Sequence, residues 1–282
     1  MNWLQKQARA LFGCPPCPKC PGERVLEYCY YGLSLTDPPQ ITGHVTMAHI
    51  GSWYDWNNFP GMLDYCVEYG NAAKAAGITR LMFTLDFCLF TPGNPKHSLH
   101  RDTQVQKLIK FADRIRDENL LDNIAAFYVI DEPNIPENNL SAQDVTLATY
   151  AIRDVFSHYV LTMPKLAIIY GWNNGAFPGI AQLDMAGFDN YGAPIFSNGM
   201  YNHLKNQLTS KQKSIIVPGG SNPWRENPDP FYAFAQANQE VGMIMPFMWF
   251  DNPPSVRNGI VSNGMAPAYT AVGNSVVAEI EA

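Results

Sequence analysis

The sequence predicts a single α/β domain, a (β/α)8 barrel, and three observations carry that expectation. Eight short apolar runs alternate with stretches of helical spacing. The runs are rich in Val, Ile, Phe, Tyr and Met and are bounded by Gly, Pro or Asn, as strands buried on both faces are. Carboxylates, amides and aromatic rings gather at the carboxyl ends of the runs, where the side chains of a barrel converge on one mouth.

In chain order the expected strands are 24–31, 44–50, 79–87, 124–131, 166–171, 185–191, 214–219 and 242–250. Helical spacing occupies 61–76, 102–119, 141–159, 198–210, 229–240 and 266–281. Ser141 and Asp102 precede good helix formers and are the expected N-caps, and Gly77 the expected C-cap. Between the first two strands, 32–43 shows no helix, the weakest link in the pattern. The competing architecture, a doubly wound open sheet, has neither a GxGxxG turn nor a GxxxxGK phosphate loop here. A length of 282 residues suits one barrel of about 250 plus a short extension. The expected division is a Cys/Pro-rich linker or tether over 1–23 and a barrel over 24–282.

The segment CPPCPKCP places Cys14, Cys17 and Cys20 on an extended, proline-stiffened strut. These cysteines suit a reduced linker, interchain disulfides that join copies of the chain, or, lacking a fourth ligand, an incomplete metal site. Leu11-Phe12-Gly13-Cys14 imitates a lipoprotein cleavage site, but Lys6 and Arg9 interrupt the apolar stretch such a signal needs. No run of about 18 apolar residues exists, so no membrane span is expected. The compartment stays open, with an extracellular site or a place in a larger assembly both compatible. Cys29, Cys66 and Cys88 sit in apolar contexts as small buried hydrophobes.

A net charge of −6, from 25 acidic and 19 basic residues, argues against a nucleic-acid partner. Charged residues make up only 16%, aromatic residues reach 12%, and 23 Asn outnumber Lys and Arg together. Polarity thus comes from neutral hydrogen-bonding groups beside flat rings, a surface suited to an uncharged polyhydroxylated ligand. His97, His100 and Asp102 make no convincing zinc set, and neither a catalytic metal nor a cofactor is expected.

The strand ends supply the candidates. His49 and Trp53 follow the second strand, Asp86 lies in the third, and Asp131-Glu132-Pro133 closes the fourth. Tyr170, Trp172 and Asn173 follow the fifth strand; Asp189 and Tyr191 close the sixth. Asn222 follows the seventh, and Trp249 and Asp251 close the eighth. Rings stack on the C–H faces of sugars, while amides and carboxylates bond their hydroxyls. Each has an ordinary reading too: Asp-Glu-Pro could simply cap a helix, His49 and Trp53 could be core residues, and Asp86 interrupts an apolar run at a cost that suggests a partner.

The segment FYVIDEPN, Phe127 to Asn134, resembles the Asn-Glu-Pro acid/base motif of retaining barrel glycoside hydrolases in an Asp-Glu-Pro variant. FDNYG at the sixth strand and MWF at the eighth are similar to the same group. The resemblance implies Glu132 as general acid/base, Asp131 in place of the Asn that holds the sugar 2-substituent, and Trp249 as a sugar platform. One departure stands out: the family's nucleophilic Glu belongs at the end of the seventh strand, where Gly219 and Gly220 stand. Glu226 lies too far along to carry over. Three solutions stay open. Asp189, Asp86 or Asp251 could act as base for an inverting reaction. Asp131-Glu132 is also similar to the pair of substrate-assisted N-acetylhexosaminidases, with Tyr191 assisting. Or the site binds sugar without cleaving it. The expected function is hydrolysis of a neutral or N-acetylated polysaccharide, against a non-catalytic carbohydrate-binding or structural barrel tethered by its N-terminal segment.

Overall fold

A computed structural model describes residues 26–32, 37–51, 57–93, 96–172, 176–192, 196, 199–251 and 259–281. The strut over 1–23, with its three cysteines, lies outside the described residues, as do Trp53 and Asn173.

Eight parallel strands form one curled sheet: β1 (Glu27–Tyr28), β2 (Ala48–Ile50), β3 (Leu81–Thr84), β4 (Ile124–Asp131), β5 (Lys165–Gly171), β6 (Met185–Asp189), β7 (Lys213–Ile216) and β8 (Val241–Ile244). From β2 to β8 each strand pairs with the next in sequence, and β8 pairs with β1, the order of a (β/α)8 barrel. The last gap, between β1 and β2, is closed by Thr46. Its N–H donates to the Tyr28 carbonyl at 2.8 Å, and its hydroxyl oxygen accepts the Tyr28 N–H at 2.8 Å.

Helices α1 (Phe59–Ala75), α2 (Arg101–Asp117), α3 (Ala142–Phe156), α4 (Met200–Lys205), α5 (Asp229–Ala237) and α6 (Ala266–Glu281) occupy the six predicted stretches. Among the described residues between β1 and β2, the one helical element is a four-residue turn, Pro38–Ile41. Ser141 caps α3 in a reciprocal capping box with Asp144. The cap of α2 is His100 rather than Asp102, whose N–H the imidazole accepts at 3.4 Å. Gly77 follows α1 at φ +93°, the left-handed conformation that releases a helix end.

Alternation along the strands separates two cores. Phe127 and Val129 of β4 face the helices, while Ala126 and Tyr128 face the barrel interior. That interior is rich in methionine, with Met47, Met82, Met185, Met243 and Met245 filling the tapering space. Cys29, Cys66 and Cys88 are buried thiols, as expected. No described helix is long and apolar enough to cross a membrane.

Candidate active site

The carboxyl ends of the strands open into a cavity of about 620 Å3, within the usual range for small-ligand sites. Three of its lining residues are acids: Asp131 and Glu132 from β4, and Asp189 from β6. They share one wall. Between them β5 ends in Gly171, where a Cβ would collide with Ile135 and stand 3.0 Å from Glu132 Oε1. The facing side is aromatic and apolar, built from Tyr31, Val217, Trp224 and Phe247.

An irregularity in β4 creates the acidic wall. Tyr128 pairs with Ala167 and Asp131 with Ile169, so three steps on β4 match two on β5. The extra residue is a β-bulge, which turns Asp131 back to the face that Tyr128 occupies. The Tyr128 hydroxyl then donates to Asp131 Oδ1 at 2.6 Å, and Tyr31 supplies a second hydroxyl. Glu132 follows with φ +42°, a left-handed conformation that a non-glycine residue adopts at a cost of about 1–3 kcal/mol. Its N–H bonds the Ile169 carbonyl at 2.9 Å, and Asn138 Nδ2 donates to the carbonyls of Asp131 and Glu132 at 3.1 and 2.9 Å. The turn that aims Glu132 is thus fixed from both sides.

Burial raises the pKa of all three acids, and their mutual repulsion orders them. Asp131 is half-buried, and the two tyrosine hydroxyls favour its charged form against the desolvation that raises its pKa. Glu132 is pushed furthest, first by burial and then by the charges of Asp189 and Asp131. Glu132 and Asp189 act directly on each other, Asp189 raising the pKa of Glu132, while the Tyr191 hydroxyl favours the charged form of Asp189. Burial and the two neighbouring aspartates thus favour the protonated form of Glu132, the direction that suits an acid poised to donate.

No protein-family model matches the chain, and no curated protein sequence matches it. Its fold does have relatives. The catalytic domain of a GH26 endo-β-1,4-mannanase from Bacillus sp. JAMB-750 superposes with a TM-score of 0.55 at 10% identity, covering 89% of this chain and 85% of that one. A glycoside hydrolase family 17 β-1,3-glucanosyltransferase from Rhizomucor miehei reaches 0.54 at 13% identity, over 84% and 92%. A plant class V chitinase from Cycas revoluta, a mutant in complex with (GlcNAc)3, reaches 0.54 at 11%, over 89% and 99%. The chain resembles barrel glycoside hydrolases. At these identities the likeness is one of fold, and activity has to be argued from the site.

Of the predicted site residues, Asp131, Glu132, Trp172, Asp189 and Tyr191 line the cavity together. The other predicted residues that are described do not line it. Tyr170 lies one step out of phase with Ile169 and Gly171, so it points to the helix layer, where its hydroxyl donates to the Pro178 carbonyl at 2.8 Å. His49 faces the interior beneath the site. Its Nδ1 accepts the Gly32 N–H at 2.9 Å, which leaves the proton on Nε2, 2.9 Å from Thr84 Oγ1. Burial lowers its pKa to about 3, so it is a neutral core histidine.

Asp86 is buried at the start of a short helix, Asp86–Leu89, after β3 has ended at Thr84. Asp251 is exposed and spent on a turn, accepting from Gly259 N–H and Ser262 Oγ, both at 2.7 Å. Asn222 is exposed in the loop after β7, which sends Trp224 to the cavity instead. Trp249 is 4% exposed and packs on Tyr30 and His44, because the chain leaves β8 at Ile244 and strand alternation no longer governs it. Phe247 takes the place expected of it in the cavity wall. Sequence reading also missed Tyr31, Tyr128 and Asn138. Tyr31 was legible as the last residue of the first predicted strand, but the other two depend on the bulge and the turn. No group of three or more metal-ligating side chains occurs among the described residues.

Proposed function

We propose that the chain hydrolyses a polysaccharide of neutral or N-acetylated sugars, with Glu132 as general acid. The observation that carries this reading is Glu132, its pKa raised by burial and by two further acids, at the mouth of a (β/α)8 barrel in a cavity also lined by aromatic rings. The second catalytic group is the finer question. Retaining pairs stand about 5–5.5 Å apart and inverting pairs about 6.5–9.5 Å across the sugar, whereas Glu132 and Asp189 share one wall of the cavity and act directly on each other's titration. Across the cavity from Glu132, the described lining from β7 and β8 is Val217 and Phe247, with no carboxylate.

This arrangement favours a substrate that brings its own nucleophile, a 2-acetamido sugar. Glu132 would give its proton to the glycosidic oxygen as the C1–O bond breaks. The acetamido carbonyl oxygen would close on C1 while Asp131, whose charged form the Tyr31 and Tyr128 hydroxyls favour, accepts the N–H. Water, deprotonated by the Glu132 carboxylate, then opens the ring and restores the acid. The apolar wall suits the acetamido methyl group. Non-catalytic sugar binding is the second reading, favoured by the lack of a carboxylate at the end of β7.

Incubation with N-acetylglucosamine, glucan and mannan oligosaccharides, with products read by mass, tests the reading. Glu132→Gln should lower turnover by about 10²–10⁴-fold and leave oligosaccharide affinity nearly unchanged. Unaltered turnover in that variant overturns the assignment of Glu132. Binding without cleavage by the unaltered protein establishes the second reading.

A further inference from the structure

Glu226 stands seven residues past Gly219, yet its carboxylate folds back to it. The loop 219–226 closes on itself: Glu226 N–H donates to the Gly219 carbonyl at 2.9 Å, Arg225 N–H to the Ser221 carbonyl at 3.1 Å, and Gly219 N–H to Glu226 Oε2 at 2.5 Å. The other carboxylate oxygen reaches the neighbouring loop, accepting the Gly192 N–H at 3.2 Å. From behind, the Tyr269 hydroxyl donates to the Glu226 carbonyl at 2.8 Å. One carboxylate therefore ties the loop after β6 to the loop after β7.

Two cavity-wall rings lie beside those ties. Tyr191 immediately precedes Gly192, Trp224 lies within the closed loop, and their ring centroids are 4.4 Å apart. Tyr191 also stacks on Phe247 at 5.5 Å. A Cβ on Gly219 would stand 2.8 Å from the Tyr191 ring, 3.0 Å from Glu226 Oε2 and 3.2 Å from Trp224 Cβ. Glycine at that point is what lets the carboxylate and both rings converge.

We infer that Glu226 is a positioning residue that holds the Tyr191–Trp224 pair in place as a preformed stacking wall for a sugar ring. It does not supply the missing nucleophile, since both oxygens are turned to backbone amides and the residue does not line the cavity. A charged carboxylate accepting two backbone N–H groups is a strong fastener. An amide in its place has one acceptor oxygen and sets an NH2 against the other N–H. A wall fixed before binding spares the ligand the cost of ordering it. The sugar in this inference rests on the proposed function, whereas the positioning of Trp224 does not.

The test uses Glu226→Gln, Trp224→Phe and both together. Subtracting the emission of each Trp224→Phe protein from its partner isolates Trp224. In Glu226→Gln, with Tm and far-ultraviolet dichroism showing the protein folded, that difference emission should move to longer wavelength and quench more readily with acrylamide. KM for the cleaved oligosaccharide should rise about tenfold while kcat changes less than threefold. On a Trp224→Ala background the same substitution should change KM less than twofold, because the ring it positions is gone. Unchanged Trp224 emission and quenching in the folded variant overturns the inference, as does a full tenfold effect on the Trp224→Ala background. If the unaltered protein neither binds nor cleaves any of the glycans, the functional reading falls, and the fluorescence comparison alone decides the role of Glu226.

Discussion

A buried acid in an active site costs stability, and at Glu132 the sign of that cost can be worked out. Its folded-state pKa lies above that of an unfolded glutamate, about 4.3. Between those two values the native protein keeps a proton that the unfolded chain has released. Stability therefore falls as pH rises through that window, and below it the difference vanishes. Glutamine has no proton to lose. Glu132→Gln should melt about 2–4 °C higher than the native protein at pH 8, the shift that about 1 kcal/mol produces in a domain of this size, and at nearly the same temperature at pH 4. Calorimetry at the two pH values checks this, and a lower melting temperature at pH 8 contradicts it. The same residue was readable in the sequence because an acid pair followed by proline at a strand end is a local pattern. Trp249 was not readable in the same way, since its burial depends on Tyr30 and His44, two hundred positions earlier in the chain.

Among the elements, β4 and β5 build the site together. The bulge in β4 turns Asp131 and Tyr128 to one face, and β5 leaves room for Glu132 by ending in glycine. Gly171→Ala would drive a methyl group into Ile135 and against the Glu132 carboxyl. The substitution should cost about 1–3 kcal/mol in urea denaturation, the usual range for overpacking, and lower kcat as Glu132 is displaced. Native stability and native kcat together in that variant would show that the side chains relax without moving the acid. The strands themselves were legible from their apolar runs, because burial on both faces needs little more than hydrophobic residues between turn signals. Their irregularities were not. A bulge shifts the phase of every later residue, and nothing in Val129-Ile130 marks where the extra residue falls.

For the whole molecule, the decisive contact is the closure of the sheet between β1 and β2. These two strands are two and three residues long, and Thr46 stands in for a full ladder by pairing both backbone groups of Tyr28. Thr46→Val keeps the shape and leaves the Tyr28 N–H unpaired inside the protein. A loss of about 1–3 kcal/mol is expected, seen as a lower urea midpoint at unchanged slope. An unchanged midpoint would mean that the barrel does not depend on this joint. The closure also bears on function, for Tyr31 follows directly on β1 and reaches across to Asp131.

The barrel, the order of its strands, six helices and the Asp131–Glu132 pair are all legible in the chain, because periodicity and turn chemistry are properties of neighbouring residues. Which side chains share the cavity depends on how distant segments pack. Inside a regular strand, alternation assigns a face, and past its last ladder bond that rule lapses. So of the seventh-strand end residues Trp224 lines the cavity and Asn222 does not, Phe247 and Tyr31 join it where Trp249 and His49 were expected, and Glu226 folds back on Gly219 as a fastener. Those placements follow from loop closure and packing between distant segments, which no local pattern encodes.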